Sequence, residues 1–470
     1  MADATFDCIV TGSGPGGYVA AIRAAQLGMK TAVVEKDSIG GRCLNYACIP
    51  AKAVLRSADI LTEIGEAEQF GLTLGSVQVD YQAVQARRQK VVSTLTGGVS
   101  GLLKKNEVQV ISGEASLLPP STRRDGIESD QDRLISVLVG GSTLTASTVV
   151  LATGSVRRSI PGVALEGPII GTEEAWALPE LPKRLAVVGA GASGTEIASG
   201  FARLGSEVML IEMLDRVLPT EDEDICRLVE RGLKRQGLTV LTGTSIEDVQ
   251  ATESTVSFTY RDQRAEVDRL VIATGRAPDT EALRLQEAGV ELDERGCVKV
   301  DQAQRTSRRG VYAIGDLVRG PALAHKASDE GIIAVEDAAG RQTHPISYID
   351  IPRATFCTPN VGSFGLTEQQ AKDAGHDVVV GKVPYGAVGG GTVYGDRTGL
   401  VKVVGETRYG ELLGGHIVGS RATELIQELV NVRALEGGVP ELARIIHGHP
   451  TLSEAVMEAA RAADGWLIHG

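Results

Sequence analysis

At 470 residues, 43% of them hydrophobic, the chain exceeds what one core holds and predicts two to four domains. Its formal net charge of −13 excludes a general nucleic-acid or anionic-membrane surface, which would need a cationic footprint. The 57 glycines beside 4% aromatic residues suit tight turns around extended ligands better than aromatic packing.

The first expected element is a strand over Phe6 to Val10, followed by the turn Gly12-x-Gly14-x-x-Gly17, a helix to Leu27 and a strand over Thr31 to Val34 that ends at Glu35. In this βαβ opening the glycines let a pyrophosphate approach backbone N–H groups at the helix amino end, and Glu35 is placed to accept ribose hydroxyls. Next come Cys43 and Cys48. Further on, the polar run Ser121 to Arg133 reads as a solvated hairpin tip without chemistry.

The βαβ order then returns: a strand over Leu185 to Val188, Gly189-x-Gly191-x-x-Gly194, a helix to Leu204, a strand over Val208 to Ile211, and Glu212. The last glycine and the acid are equally spaced in both units, since 35 minus 17 and 212 minus 194 both give 18. A carboxylate at 212 repels a 2′-phosphate and accepts a free 2′-hydroxyl, which predicts NAD over NADP. Each unit is followed by a strand ending in Ala-Thr-Gly, at Ala152 to Gly154 and Ala273 to Gly275, read as crossings between domains. From about Ser347 a separate α+β domain is expected, with strands at Leu400 to Val404 and Gly414 to Gly419 and helices near Thr423 and Leu452.

The other cysteines, Cys8, Cys226, Cys297 and Cys357, are scattered, so no secreted disulfide framework is expected. No basic leader and no apolar run of about 18 residues is present. The expectation is a cytoplasmic protein without membrane insertion, nucleic-acid partner or metal.

A bare pair of thiols five residues apart reads equally as two small buried hydrophobes. In a regular helix five residues rise about 7.5 Å, beyond the roughly 7 Å limit for a disulfide, so pairing requires a break between them. Asn45 and the flanking glycines permit one, and Pro50 suits the first turn of a following helix. Cys48 then sits at a helix amino end, where the dipole lowers a thiol pKa, with Lys52 four residues on.

These features, together with GPGGYVAAIRAAQLG at 14–28, Ala313-Ile314-Gly315-Asp316, Ala324-His325-Lys326-Ala327-Ser328 and His449-Pro450-Thr451-Leu452-Ser453-Glu454, resemble the flavin disulfide reductases over essentially the whole chain. Among these they are most similar to the dihydrolipoamide dehydrogenases. The resemblance implies an α/β fold of two Rossmann-like dinucleotide-binding domains plus a C-terminal α+β dimerisation domain. FAD would bind to 1–150 and 276–346 and NAD to 151–275, with 347–470 as the interface domain. It implies that Cys43 is the thiol that meets substrate and that Cys48 lies against the flavin in a charge-transfer complex. Lys52 would pair with Glu196 near flavin N5, Asp316 hold the ribityl chain, and Ala115, Thr153 and Gly154 approach FAD through backbone. Ala322, Ala324 and His325 would face the pyrimidine edge of the flavin, and Ile246 and Gly275 complete the nucleotide contacts. His449, supplied by the partner subunit of a homodimer, would accept the substrate proton with Glu454 orienting its ring. Read without the resemblance, Thr451-x-x-Glu454 is also a helix capping box; a carboxylate's two oxygens allow both roles.

The implied reaction oxidises dihydrolipoamide, carried on a lipoyl-bearing subunit of a 2-oxoacid dehydrogenase complex or glycine-cleavage system, and reduces NAD⁺. The chain departs from its relatives at Arg42, at Tyr46-Ala47 between the thiols, at Ser193, and at 386–391, where a glycine-rich segment replaces one usually containing Ala-Asn-Ser. Arg42 either supports the Cys43 thiolate or is a solvated arginine. These departures leave open an NAD(P)H-dependent reductase of another disulfide. A flavin-bound structural subunit of a large complex is a third reading, against which the joint presence of Cys43, Cys48, His449 and Glu454 speaks.

Overall fold

The computed structural model describes residues 4–120 and 134–470; the expected hairpin tip at Ser121 to Arg133 lies outside them. The chain divides into two compact units, one of Met1–Pro50, Ala86–Arg158 and Gly275–Tyr348, the other of Ala51–Gln85, Ser159–Thr274 and Ile349–Gly470. No helix among the described residues is long and apolar enough to cross a membrane.

The first unit is built on a seven-stranded sheet. Ala4–Thr11 lies parallel between Thr31–Glu35 and Ser142–Leu151, and Val311–Ala313 adds a further parallel strand beyond Ser142–Leu151. Ile135–Val139 and Ala115–Leu117 continue the sheet antiparallel. The central strand is apolar and covered on both faces in its second half, where Cys8, Ile9 and Val10 are fully buried, whereas Thr5 and Asp7 in its first half are exposed. The helix Pro15–Gln26 starts with proline in its first turn, where the missing N–H costs nothing, and buries Ala20, Ala21 and Ala24. Small side chains there let it pack closely on the helix Ala324–Ala338.

The second unit holds two sheets that carry sites. A five-stranded parallel sheet orders Thr239–Leu241, Glu207–Ile211, Arg184–Val188, Arg269–Ile272 and Ile169–Gly171. An antiparallel sheet orders Arg353–Thr355, Val361–Gly365, Leu412–Val418, Leu400–Glu406 and Val378–Pro384, with the helix Glu454–Ala463 packed on it. Lys402, inside a strand that reads as apolar, is 2% exposed and lies 2.8 Å from each of Asp222, Asp224 and Glu368. Three carboxylates compensate that one buried ammonium, as a charge removed from water requires.

Candidate active site

Cys43 and Cys48 form a disulfide with Cα atoms 4.7 Å apart. That distance is possible because the backbone breaks between them. A short helix, Gly41–Asn45, ends at Tyr46 with φ −129°, and a new one, Cys48–Gly65, starts on the second thiol. Asn45 closes the turn by donating its side-chain amide to the carbonyls of Ile39 and Gly41, at 3.0 and 2.9 Å. The other thiols are poor nucleophiles. Burial pushes Cys8, Cys226 and Cys357 each up to about 12, and Cys297 is raised as well, again first by burial. Accessible thiol chemistry among the described residues is concentrated in the pair.

The two glycine turns are copies of one another down to their hydrogen bonds. Gly12 and Gly189 adopt φ +96° and +101°. A Cβ on Gly17 would meet the Gly12 carbonyl oxygen at 2.0 Å, and one on Gly194 the Gly189 oxygen at 1.9 Å. These outer glycines are therefore demanded by the fold. The middle ones are not: a Cβ on Gly14 or Gly191 meets nothing within 4 Å, although each stands at the start of a helix with no side chain capping it. The vacant side of each turn, bordered by first-turn N–H groups, fits a diphosphate.

The acids at the strand ends complete the copy. Glu35 accepts from the N–H of Ser13 at 2.8 Å and of Asp37 at 2.8 Å; Glu212 accepts from the N–H of Ala190 at 2.6 Å and of Leu214 at 2.9 Å. Each carboxylate thus braces the residue after the first glycine and the second residue after itself.

In the first unit this turn also carries the redox loop. The Ser13 hydroxyl donates to Glu35 at 2.7 Å, and Gly40 donates its N–H to the Ser13 carbonyl at 3.1 Å. Gly41, at φ +58°, lies so close that a Cβ would stand 2.7 Å from Gly14 Cα. Tyr46 donates its hydroxyl to Asp37 at 2.8 Å. Disulfide loop, phosphate turn and ribose acid are one packed piece. Ser13, which occupies a free position of the glycine motif, was not legible as its hub.

Around the same turn, Lys36 bridges Glu114, beside Ala115, and Asp279, at 3.3 and 3.2 Å. The main chain of Asp279 accepts from the Thr153 hydroxyl at 2.7 Å and donates to Gly154 at 2.9 Å. Gly275 accepts from Arg158 at 3.1 Å. Asp316 accepts a short hydrogen bond from Ser155, which Arg276 contacts at 2.8 Å. Its neighbour Gly315 is clamped from the helix Ala324–Ala338: Lys326 donates to its carbonyl at 2.8 Å, and Glu330 accepts its N–H at 2.7 Å. Lys326 and Glu330 are 1% and 0% exposed and 3.2 Å apart. Burial raises the Glu330 carboxyl, with the Lys326 charge opposing. Ala324 opens that helix, and Ala322 and His325 are exposed beside its start.

In the second unit Lys52 contacts both oxygens of Glu196, at 3.0 and 2.9 Å, and lies 4.6 Å from the centre of the Phe356 ring. The N–H of Phe356 donates to Glu196 at 2.8 Å. Ser193 is exposed in the first turn of its helix, Ala192–Leu204. Ile246 packs, half-buried, on the cluster holding Val188 and Ile211.

His449 and Glu454 also belong to the second unit. The His449 ring, 75% exposed, pairs through Nδ1 with one oxygen of Glu454 at 2.9 Å, which leaves Nε2 directed outward. The other oxygen accepts the N–H of Thr451 at 2.8 Å. Partial burial pushes the Glu454 carboxyl up, but the Thr451 N–H and the His449 ring outweigh it and hold it below the usual range. Only the acid's half of a capping box is present. The helix starts at Glu454 itself, and the Thr451 hydroxyl turns to the Gly448 carbonyl at 2.7 Å. His447 is 4% exposed and paired with Glu428, which raises its pKa against the effect of burial.

Residues 6–331 match the family model described as pyridine nucleotide-disulphide oxidoreductase, and residues 351–460 match the dimerisation domain of the same family. The dihydrolipoyl dehydrogenase of Bacillus subtilis is 39% identical over 480 residues, covering 99% of both chains. That of Rhizobium etli is 41% identical over 478 residues, again covering 99% of each. Among solved structures, LpdA from Mycobacterium tuberculosis superposes with a TM-score of 0.89 at 27% identity, covering 97% of this chain and 99% of that one. The HOCl-induced flavoprotein disulfide reductase RclA from Escherichia coli gives a TM-score of 0.84 at 26% identity, with 97% and 99% covered.

Proposed function

The chain belongs to the pyridine nucleotide-disulphide oxidoreductase family, and within it we propose that it oxidises dihydrolipoamide, held on a lipoyl-bearing subunit of a larger complex, and passes the electrons to NAD⁺. The observation that carries this reading is the Cys43–Cys48 disulfide on a loop packed against a diphosphate-shaped glycine turn. FAD fits the first unit, at Gly12, Gly14, Gly17, Glu35, Ala115, Thr153, Gly154 and Asp316, and NAD fits the second, at Gly189, Gly191, Gly194 and Glu212. FAD supplies the two-electron relay between dithiol and pyridine nucleotide.

The chain's own residues do the thiol chemistry. His449 of the partner subunit takes a proton from a substrate thiol, and its pairing with Glu454 keeps the second ring nitrogen in position to do so. The resulting thiolate attacks Sγ of Cys43. The Cys43–Cys48 bond breaks, a mixed disulfide forms, and the electron pair leaves on Cys48 at the amino end of the helix Cys48–Gly65, where the helix dipole favours a thiolate. His449 passes its first proton to the departing Cys43 sulfur and takes the proton of the second substrate thiol, whose sulfur attacks the substrate sulfur of the mixed disulfide and closes the product disulfide. Lys52 and Glu196 hold one another as a fixed charge pair. The protein works as a homodimer in the cytoplasm.

The test incubates the FAD-loaded protein with dihydrolipoamide and NAD⁺ and follows NADH. Formation of NADH that disappears in Cys43→Ser and Cys48→Ser is the expected result. No NADH, combined with NADH-driven reduction of a different low-molecular-weight disulfide, would overturn the substrate assignment while leaving the thiol chemistry in place.

A further inference from the structure

The glycine-rich segment at 386–391 lies directly behind the His449 loop. Residues Gly389–Val393 form a single helical turn. A Cβ on Gly390 would lie 2.4 Å from both C and O of Thr451 and 2.7 Å from the N of Leu452. One on Gly389 would lie 3.3 Å from Pro450 Cβ and 3.4 Å from His449 Cε1.

The turn has no room to retreat on its other side. A Cβ on Gly391 would stand 2.0 Å from the Tyr385 carbonyl oxygen. Tyr385 is itself fully buried, donates its hydroxyl to the Ser420 carbonyl at 3.1 Å, and is packed so tightly against Gly399 and Gly419 that a Cβ on either would fall within 2.4 and 2.7 Å of its ring. The turn is therefore wedged between the main chain of Tyr385, a residue anchored by its buried ring, and the main chain of Thr451. That main chain presents the N–H that holds one oxygen of Glu454, while the other oxygen holds His449.

We propose that Gly390 is a positioning residue: its missing side chain sets the depth at which Thr451 sits, and through the Glu454 carboxylate it fixes the orientation of the His449 ring. A side chain at 390 pushes the backbone that carries the acid, because the contacting atoms are main chain and cannot rotate away. The glycine-rich segment read in the sequence as a departure thus acts on the proton acceptor from behind. This inference rests on the proposed role of His449 in dithiol oxidation.

The experiment compares the wild-type holoenzyme with Gly390→Ala, Gly389→Ala, Gly386→Ala and His449→Gln. It measures dihydrolipoamide turnover against pH, and in parallel NADH-to-ferricyanide electron transfer, which uses no thiol proton acceptor. Gly390→Ala is expected to lower kcat for dihydrolipoamide tenfold or more with KM within twofold, to give a pH profile that no longer superimposes on wild type, and to keep the ferricyanide rate within twofold. Gly386→Ala, whose Cβ would have its nearest contacts with Arg397, at 3.3 Å and beyond, and not with the His449 loop, is expected to match wild type in all three. If Gly390→Ala does not yield folded protein, Gly389→Ala decides, with an expected two- to fivefold loss of kcat and an altered profile. Wild-type kcat and pH profile in the variant that decides would overturn the inference. A His449→Gln enzyme as active as wild type would instead overturn the proposed role of His449.

Discussion

Lys326→Met provides a quantitative test of how the first unit holds Asp316. The substitution removes the cation from a pair that is 1% and 0% exposed and leaves Glu330 buried. Deleting one partner of a buried ion pair costs about 3–5 kcal/mol. Glu330 keeps the N–H of Gly315 at 2.7 Å and the hydroxyl of Tyr348 at 2.6 Å, so the lower end applies. About 3 kcal/mol corresponds to roughly a 150-fold change in an equilibrium constant. Because Lys326 also holds the Gly315 carbonyl, the loss falls on the turn carrying Asp316, and FAD retention weakens together with stability. Denaturant unfolding followed by flavin fluorescence reads both. The sign with pH follows from burial, which raises the Glu330 carboxyl. A carboxyl raised in the folded state favours folding at low pH and loses that contribution as pH rises through its folded value. The deficit of Lys326→Met is therefore smallest near the ordinary carboxylate range, about pH 4, and grows toward neutrality. Lys326→Met/Glu330→Gln, with no charge left to bury, recovers more than half of the loss. A single variant within about 0.5 kcal/mol of wild type, a difference too small for any buried-charge mechanism, would refute the reasoning. So would a double variant less stable than the single.

Gly191→Ala is expected to raise KM for NAD about tenfold, equivalent to ~1.4 kcal/mol, with apoprotein stability unchanged; Gly194→Ala, whose Cβ would meet Gly189 O at 1.9 Å, should lose stability in a thermal melt without any nucleotide. Glu212→Ala removes the acceptor of the Ala190 and Leu214 N–H groups, and steady-state kinetics should show NAD discrimination over NADP falling by about tenfold or more. Glu454→Gln is expected to lower dithiol turnover at least tenfold at neutral pH in the NADH assay. Because the Glu454 carboxyl is held below its usual range, the stability it contributes is present above about pH 4.3 and is lost as pH falls through its lowered value, so the melting temperatures of variant and wild type should converge in acid.

The paired βαβ units were readable in the sequence because their determinants are local: a strand, three glycines and an acid at one fixed spacing. The geometric constraint on Cys43 and Cys48 was readable too, since helix rise alone demands a break somewhere between them; that it falls at Tyr46 is seen only in the fold. What the chain conceals are contacts made at long range. Lys326 and Glu330, four residues apart on a helix, have the spacing of an ordinary solvated pair, and only the packing of the Gly315 turn and Tyr348 over them shows that they are buried. Lys402 lies in an apparently apolar strand, and its three carboxylates come from positions 222, 224 and 368. Gly389 and Gly390 registered as part of a departure, but their clash partners, 60 or so residues later, are visible only in the fold.

The stacking of Gly41 on Gly14, with Ser13 holding Gly40 and Glu35 at once, constrains how this enzyme can diversify. A loop built into the floor of a nucleotide cradle cannot be lengthened, shortened or shifted without dislodging the cradle. Variation is confined to the side chains the loop displays, at Arg42, Tyr46 and Ala47. A laboratory effort to redirect the protein toward another disulfide should therefore randomise those three positions and leave the loop's length alone. Grafting a whole redox loop from a distant relative would succeed only if residues 12–14 travelled with it.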